Sequence, residues 1–101
     1  MALAINAARG EAAAVLAGEP VRVCLTLGAL AEVESVLGPP ANGALGDRLA
    51  RIRAADVGAV LEALLRGGGH DAAAATKLAG LATPDEAARA IVAAFEAAAP
   101  Q

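Results

Sequence analysis

Tryptophan and tyrosine are absent from this 101-residue chain, and Phe95 is its one aromatic residue. An interface here cannot rest on the aromatic anchors that dominate many binding surfaces, so it must be aliphatic. Cys24 is the lone cysteine, which excludes an intramolecular disulfide and fits a reducing compartment. Basic residues are outnumbered, 8 Lys and Arg against 11 Asp and Glu, for a net charge of −3. That balance argues against a nucleic-acid backbone as partner, which would call for a basic face. No run of 18 strongly apolar residues occurs, so no membrane span is expected. The start, Met1-Ala2-Leu3-Ala4-Ile5-Asn6, lacks the basic region and apolar length of a signal peptide. The expected location is the cytoplasm.

Catalytic vocabulary is equally thin. His70 is the only histidine and Ser35 the only serine. A metal site needs three or four ligands brought together, and His70-Asp71 offers two unless Cys24 joins them from afar. Gly67-Gly68-Gly69 is followed by His70 and Asp71 rather than the Gly-Lys-Ser/Thr of a phosphate loop. Ser35 has no strained elbow motif around it. Glu32 and Glu34 are two apart and do not share a helix face. Cys24 alternates with Val23 and Leu25, as an inert half-buried thiol would. These features predict no metal, no cofactor and no enzymatic activity.

What the chain has is alanine, at 31 positions, with 13 Leu, 8 Val and 3 Ile. That composition supports a folded domain around a thin Leu and Val core. Residues 1–9 read as a flexible leader, and 10–99 as a single domain. Gly18-Glu19-Pro20 punctuates like a turn, and Val21, Val23 and Leu25 then alternate with Arg22, Cys24 and Thr26. The pattern predicts a β-hairpin of strands 11–17 and 21–26, the first weakened by its alanines.

Helices follow. Thr26 can cap one over 27–37, with Leu27, Leu30, Val33 and Leu37 on one side and Gly38 as its stop. A short helix over about 43–51 has Asn42 as cap and Leu45, Leu49 and Ile52 as its stripe. Arg48, Arg51 and Arg53, flanked by Asp47 and Asp56, read as a solvated face, with a phosphate patch as the alternative. Over 55–66, Val57, Val60, Leu61, Leu64 and Leu65 fall at i, i+3, i+4, i+7 and i+8. The three glycines then allow a sharp turn and some mobility. Asp71 can cap a short helix ending near Leu78 or Gly80. Thr83-Pro84-Asp85-Glu86 is a capping box with proline at the first helical position. The last helix has Ala88, Ile91, Val92 and Phe95 on one face. The expected fold class is α+β, an N-terminal hairpin followed by a compact bundle of about five helices.

Two stretches carry a resemblance. One is Arg22-Val23-Cys24-Leu25-Thr26-Leu27-Gly28-Ala29-Leu30-Ala31-Glu32-Val33-Glu34. The other is Val60-Leu61-Glu62-Ala63-Leu64-Leu65-Arg66-Gly67-Gly68-Gly69-His70-Asp71. With Gly10-Glu11 and Gly18 before them, the chain resembles, over about 10–96, the small tail proteins of gene transfer agents, related to phage tail-assembly chaperones. It departs from the pattern at Ala12, Ala13 and Ala14, where similar proteins carry larger or charged residues.

The resemblance implies a tail-assembly role. The chain would bind the tape-measure protein and/or tail tube protein, with self-association also open. Structural tail component and generic helical adaptor stand as alternatives. The candidate partner-binding residues are Thr26 and Gly28 at the strand–helix junction, Glu32 and Glu34 on the first helix, and Arg66, Gly67, Gly68, Gly69, His70 and Asp71. Each also has a structural reading: Thr26 as cap, Gly28 as a close-packing position, the glutamates as solvated side chains.

Overall fold

The computed structural model describes residues 4–37 and 54–99. It opens on a hairpin. Strand β1 (Glu11–Leu16) pairs antiparallel with β2 (Glu19–Cys24), Leu16 opposite Glu19 and Glu11 opposite Cys24. Only Ala17 and Gly18 connect them, at φ 53° and 78°. Positive φ at both central residues gives the turn whose twist matches that of the strands. The turn expected at Gly18-Glu19-Pro20 is therefore corrected: Glu19 and Pro20 belong to β2, which ends at Cys24. The reason is burial. A turn over 18–20 would pair Ala17 with Val21 and put Leu16 on the face opposite Val21 and Val23. In the observed register Ala12, Ala14, Leu16, Val21 and Val23 share the inner face, and Leu16 and Val23 are fully buried.

The same register explains Pro20. The pair flanking a two-residue turn is hydrogen-bonded, and pairs alternate from there. Val15–Pro20, Ala13–Arg22 and Glu11–Cys24 are thus the non-bonded pairs, whose N–H and C=O groups point away from the partner strand. The Glu11 N–H bears this out by donating to Asn6 O at 3.2 Å rather than to β2. Pro20 occupies a position where no ladder donor is required.

Residues 4–9, which the sequence reading placed ahead of the domain, lie against this hairpin. A 3-10 turn runs over Ala7–Arg9. The Asn6 N–H donates to Glu11 Oε1 at 2.8 Å. Arg22 donates to Ala4 O from Nε at 3.0 Å and Nη2 at 2.7 Å, and its Nε lies 3.3 Å from Glu11 Oε1.

Four helices are described: α1 (Leu27–Leu37), α2 (Ala54–Gly67), α3 (Ala72–Leu81) and α4 (Pro84–Ala98). The short helix expected at about 43–51, with Arg48, Arg51 and Arg53, lies outside the described residues. The first described helix starts where Thr26 Oγ1 accepts the Ala29 N–H at 3.0 Å. Most of the expected stripe turns inward, Val33 buried and Leu30 and Leu37 half-buried, with Ala29 buried beside them; Leu27 departs from it and is 83% exposed. Leu27 lies on the far side of the first turn from Ala29.

The expected apolar stripe of α2 holds. Val60, Leu61, Leu64 and Leu65 are at most 1% exposed, and the helix packs on β2, α1, α3 and α4. Asp71 caps α3 by accepting the Ala74 N–H at 2.8 Å. Thr83 and Glu86 form the capping box of α4.

The buried face of α4 differs from the expected one. Ala87, Ala90, Ile91 and Ala94 are buried and Phe95 is half-buried, while Ala88 and Val92 are exposed. This helix runs antiparallel along β1. Glu86 meets the hairpin turn, and at the other end a β-carbon on Gly10 would sit 3.7 Å from Ala97 O. Small side chains on α4 face a strand of small side chains, Ala12 and Ala14. Alanine on both partners permits this close approach.

Candidate partner-binding surface

The LRGGGHD segment ends α2 with two backbone bonds. His70 N–H donates to Leu65 O at 3.1 Å and Gly69 N–H to Arg66 O at 3.0 Å. With Gly69 at φ 106°, this is the Schellman arrangement, in which glycine takes the left-handed position without a β-carbon clash. Gly67 and Gly68 do something else. A β-carbon on Gly67 would lie 2.1 Å from Cys24 O, and one on Gly68 would lie 2.2 Å from Arg22 O. The outward carbonyls of β2 press into space that any side chain would fill. The reading of the glycines as a mobile turn is corrected for these two: they let the end of α2 pack on the edge of β2.

The two stretches that carried the resemblance are thus in direct contact. Arg22 Nη1 donates to Gly68 O at 3.4 Å. Thr26 Oγ1 stands 3.4 Å from where a Gly67 β-carbon would be. Farther along, Arg66 pairs with Glu32 across the α1–α2 interface. A family model described as phage tail tube protein, GTA-gp10, matches residues 9–99. The chain belongs to this phage tail tube protein family. No curated protein and no solved structure gives a match.

In this tail protein the candidate residues separate by role. Glu32, Arg66 and Glu62 form a polar ladder: Arg66 Nη1 is 4.0 Å from Glu62 Oε1, which accepts from Thr76 Oγ1 at 2.8 Å. Glu32, Ser35, Val36, Ala59, Glu62 and Arg66 line an open groove of about 300 Å³ between α1 and α2. Glu34 is exposed on α1, with the buried Val33 between it and Glu32 in sequence, and makes no ion pair among the described residues. Gly28 is exposed, and a β-carbon there would find nothing nearer than Thr26 Oγ1 at 3.9 Å, so no close packing requires it. His70 is half-buried and Asp71 exposed, both engaged at the α2–α3 corner.

Sequence reading did not single out Arg22, Glu62, Thr76 or Glu86 for this architecture. Glu62 was findable, since it stands four residues before Arg66 on one helix face. Glu86 was recognised only as a cap, yet it also accepts the turn amides of Ala17 at 2.9 Å and Gly18 at 3.3 Å. These bonds, led by the Thr83 N–H, hold its carboxyl below the ordinary glutamate range. Burial, followed by the charge of Glu11, pushes the Cys24 thiol up. Among the described residues no group of three or more His, Cys, Asp or Glu can hold a metal, and no helix is long and apolar enough to cross a membrane.

Proposed function

We propose that this tail protein acts during assembly as a chaperone, holding the tape-measure protein and/or tail tube subunits, and that it works by binding rather than catalysis. The observation that carries the reading is the one-sidedness of the hairpin. A ring built by strand continuation needs two complementary edges on every subunit. The β2 edge is occupied by Gly67 and Gly68 of α2 and interrupted by Pro20. Such a hairpin suits a protein that docks on a partner better than one that propagates a sheet. The polar ladder Glu32–Arg66–Glu62, beside a groove, supports a contact surface of aliphatic and charged groups in a chain without Trp or Tyr.

A second reading, a structural component retained in the particle, has the family's tail tube description in its favour. Co-expression with a tail tube protein and a tape-measure protein, with complex mass read by light scattering, separates the two. A soluble complex weakened at least tenfold by the double change E32K/E34K, with helical circular dichroism unchanged, is the expected result. Self-assembly into rings, together with tube-like stoichiometry in purified particles, would overturn the chaperone reading.

A further inference from the structure

We infer that β1 accepts one extended segment of a partner protein along its free edge at Ala13 and Val15, and that this segment carries bulky apolar residues at alternate positions. The inference rests on the assembly-chaperone reading and specifies its mode of binding.

The phase of the ladder fixes which groups are available. Glu11, Ala13 and Val15 direct their N–H and C=O groups away from β2. The Glu11 N–H is taken by Asn6 O. The N–H and C=O groups of Ala13 and Val15 have no hydrogen-bond partner among the described residues. Both residues are exposed, Val15 by 52%.

The other edge differs at each corresponding position. Pro20 has no N–H to offer, Gly68 packs on Arg22 O and Gly67 on Cys24 O. Proteins commonly blunt a sheet edge with proline, charge or a covering element. Here β2 carries two of those devices and the 13–15 stretch of β1 carries none. An unblunted edge beside a blocked one is the arrangement that takes a single added strand.

Size decides the occupant. Ala13, Val15 and Pro20 form a shallow apolar patch on the outer face, since Val15 pairs with Pro20 and Ala13 is two residues before Val15. A second copy of β1 would lay alanine against alanine and bury little of the roughly 1,200 Å² that a stable interface requires. A foreign strand with large aliphatic or aromatic residues at alternate positions fills the space that the alanines leave, while the main-chain bonds set its register.

The test is Ala13→Pro in the full chain. It removes only an outward donor, so the pairing with β2 should survive, as it does at Pro20. Val15→Lys places a charge on the same edge without altering the backbone. The expected result is a loss of at least tenfold in affinity for the co-expressed tail protein in both variants, with circular dichroism unchanged. In the free protein the Ala13 and Val15 amides should exchange rapidly with solvent and become protected in the complex. Undiminished binding by a folded V15K variant, or protected amides in the free protein, would overturn the edge assignment alone. Binding of no tail protein by the wild type would remove the chaperone reading and this inference with it. A wild-type dimer that V15K dissolves would assign the edge to a second copy and overturn the choice of occupant.

Discussion

Gly68 meets the carbonyl oxygen of Arg22 so closely that a β-carbon on it would stand 2.2 Å from that oxygen. The obstacle is main chain, not a flexible side-chain tip, so it cannot swing aside. Relief requires the end of α2 to move off β2, and overpacking of this kind costs about 1–3 kcal/mol. Gly68→Ala and Gly67→Ala are each expected to lose at least about 2 kcal/mol in urea unfolding. Gly58→Ala is the control. It lies within α2 with nothing within 4 Å of its would-be β-carbon, and alanine there should gain about 0.5–1 kcal/mol of helix propensity. If all three glycines behaved alike, the close approach would not be a determinant of stability.

The hairpin turn holds a strained residue. Ala17 sits at φ 53°, a left-handed conformation that costs a residue with a β-carbon about 1–2 kcal/mol. Glycine relieves that cost but loses more entropy on folding, so Ala17→Gly should stabilise by up to about 1 kcal/mol. Ala17→Val should destabilise, because a β-branched side chain tolerates this conformation worst. Thermal melts of the two variants check both directions, and a stabilising valine would mean that the turn is of another type.

Glu86 joins two distant parts of the chain: its carboxylate accepts from Thr83, the N-cap of its own helix, and from Ala17 and Gly18 in the hairpin turn. These bonds favour the charged form, so its folded-state pKa lies below the unfolded one. The sign follows directly. The contribution to stability is full above the ordinary glutamate range and is lost as pH falls through the lowered folded value. Glu86→Gln should therefore melt below wild type at neutral pH, and the gap should close on acidification. A gap that is constant with pH would remove the carboxylate from the account.

The thiol of Cys24 is 2% exposed and donates to Arg9 O at 3.6 Å. Burial raises its pKa, so little thiolate is present at neutral pH. Reaction with a disulfide reagent should be slower than in urea by at least about a hundredfold, consistent with a structural cysteine. Reaction as fast as in denaturant would show that the thiol does not stay in its buried position against Arg9 O.

Much of the chain was readable locally. Thr26, Asp71 and the Thr83–Glu86 box mark three helix starts because a cap is a contact between residues three apart, carried within the sequence itself. The stripe of Val60, Leu61, Leu64 and Leu65 was equally plain, since a helix buried on most sides leaves a dense periodic signal. Of the candidate surface, Glu32 and Arg66 were legible as separate candidates, but their pairing was not.

The sequence by itself determined where helices begin, that a hairpin precedes them, and that catalytic groups are scarce. Each of these depends on residue types and short spacings. Tertiary structure alone decided the hairpin register, because the placement of Leu16 beside Val21 and Val23 depends on a core that other elements complete. It also decided which side of α4 turns inward, since Ala87, Ala90 and Ala94 gain their place only against the alanines of β1. The triple glycine shows the division most sharply. Its left-handed member, Gly69, does what a helix-ending glycine does anywhere, whereas Gly67 and Gly68 are required by two carbonyls more than forty residues away in the chain. A contact across that separation leaves no periodicity, so only the folded backbone reveals it.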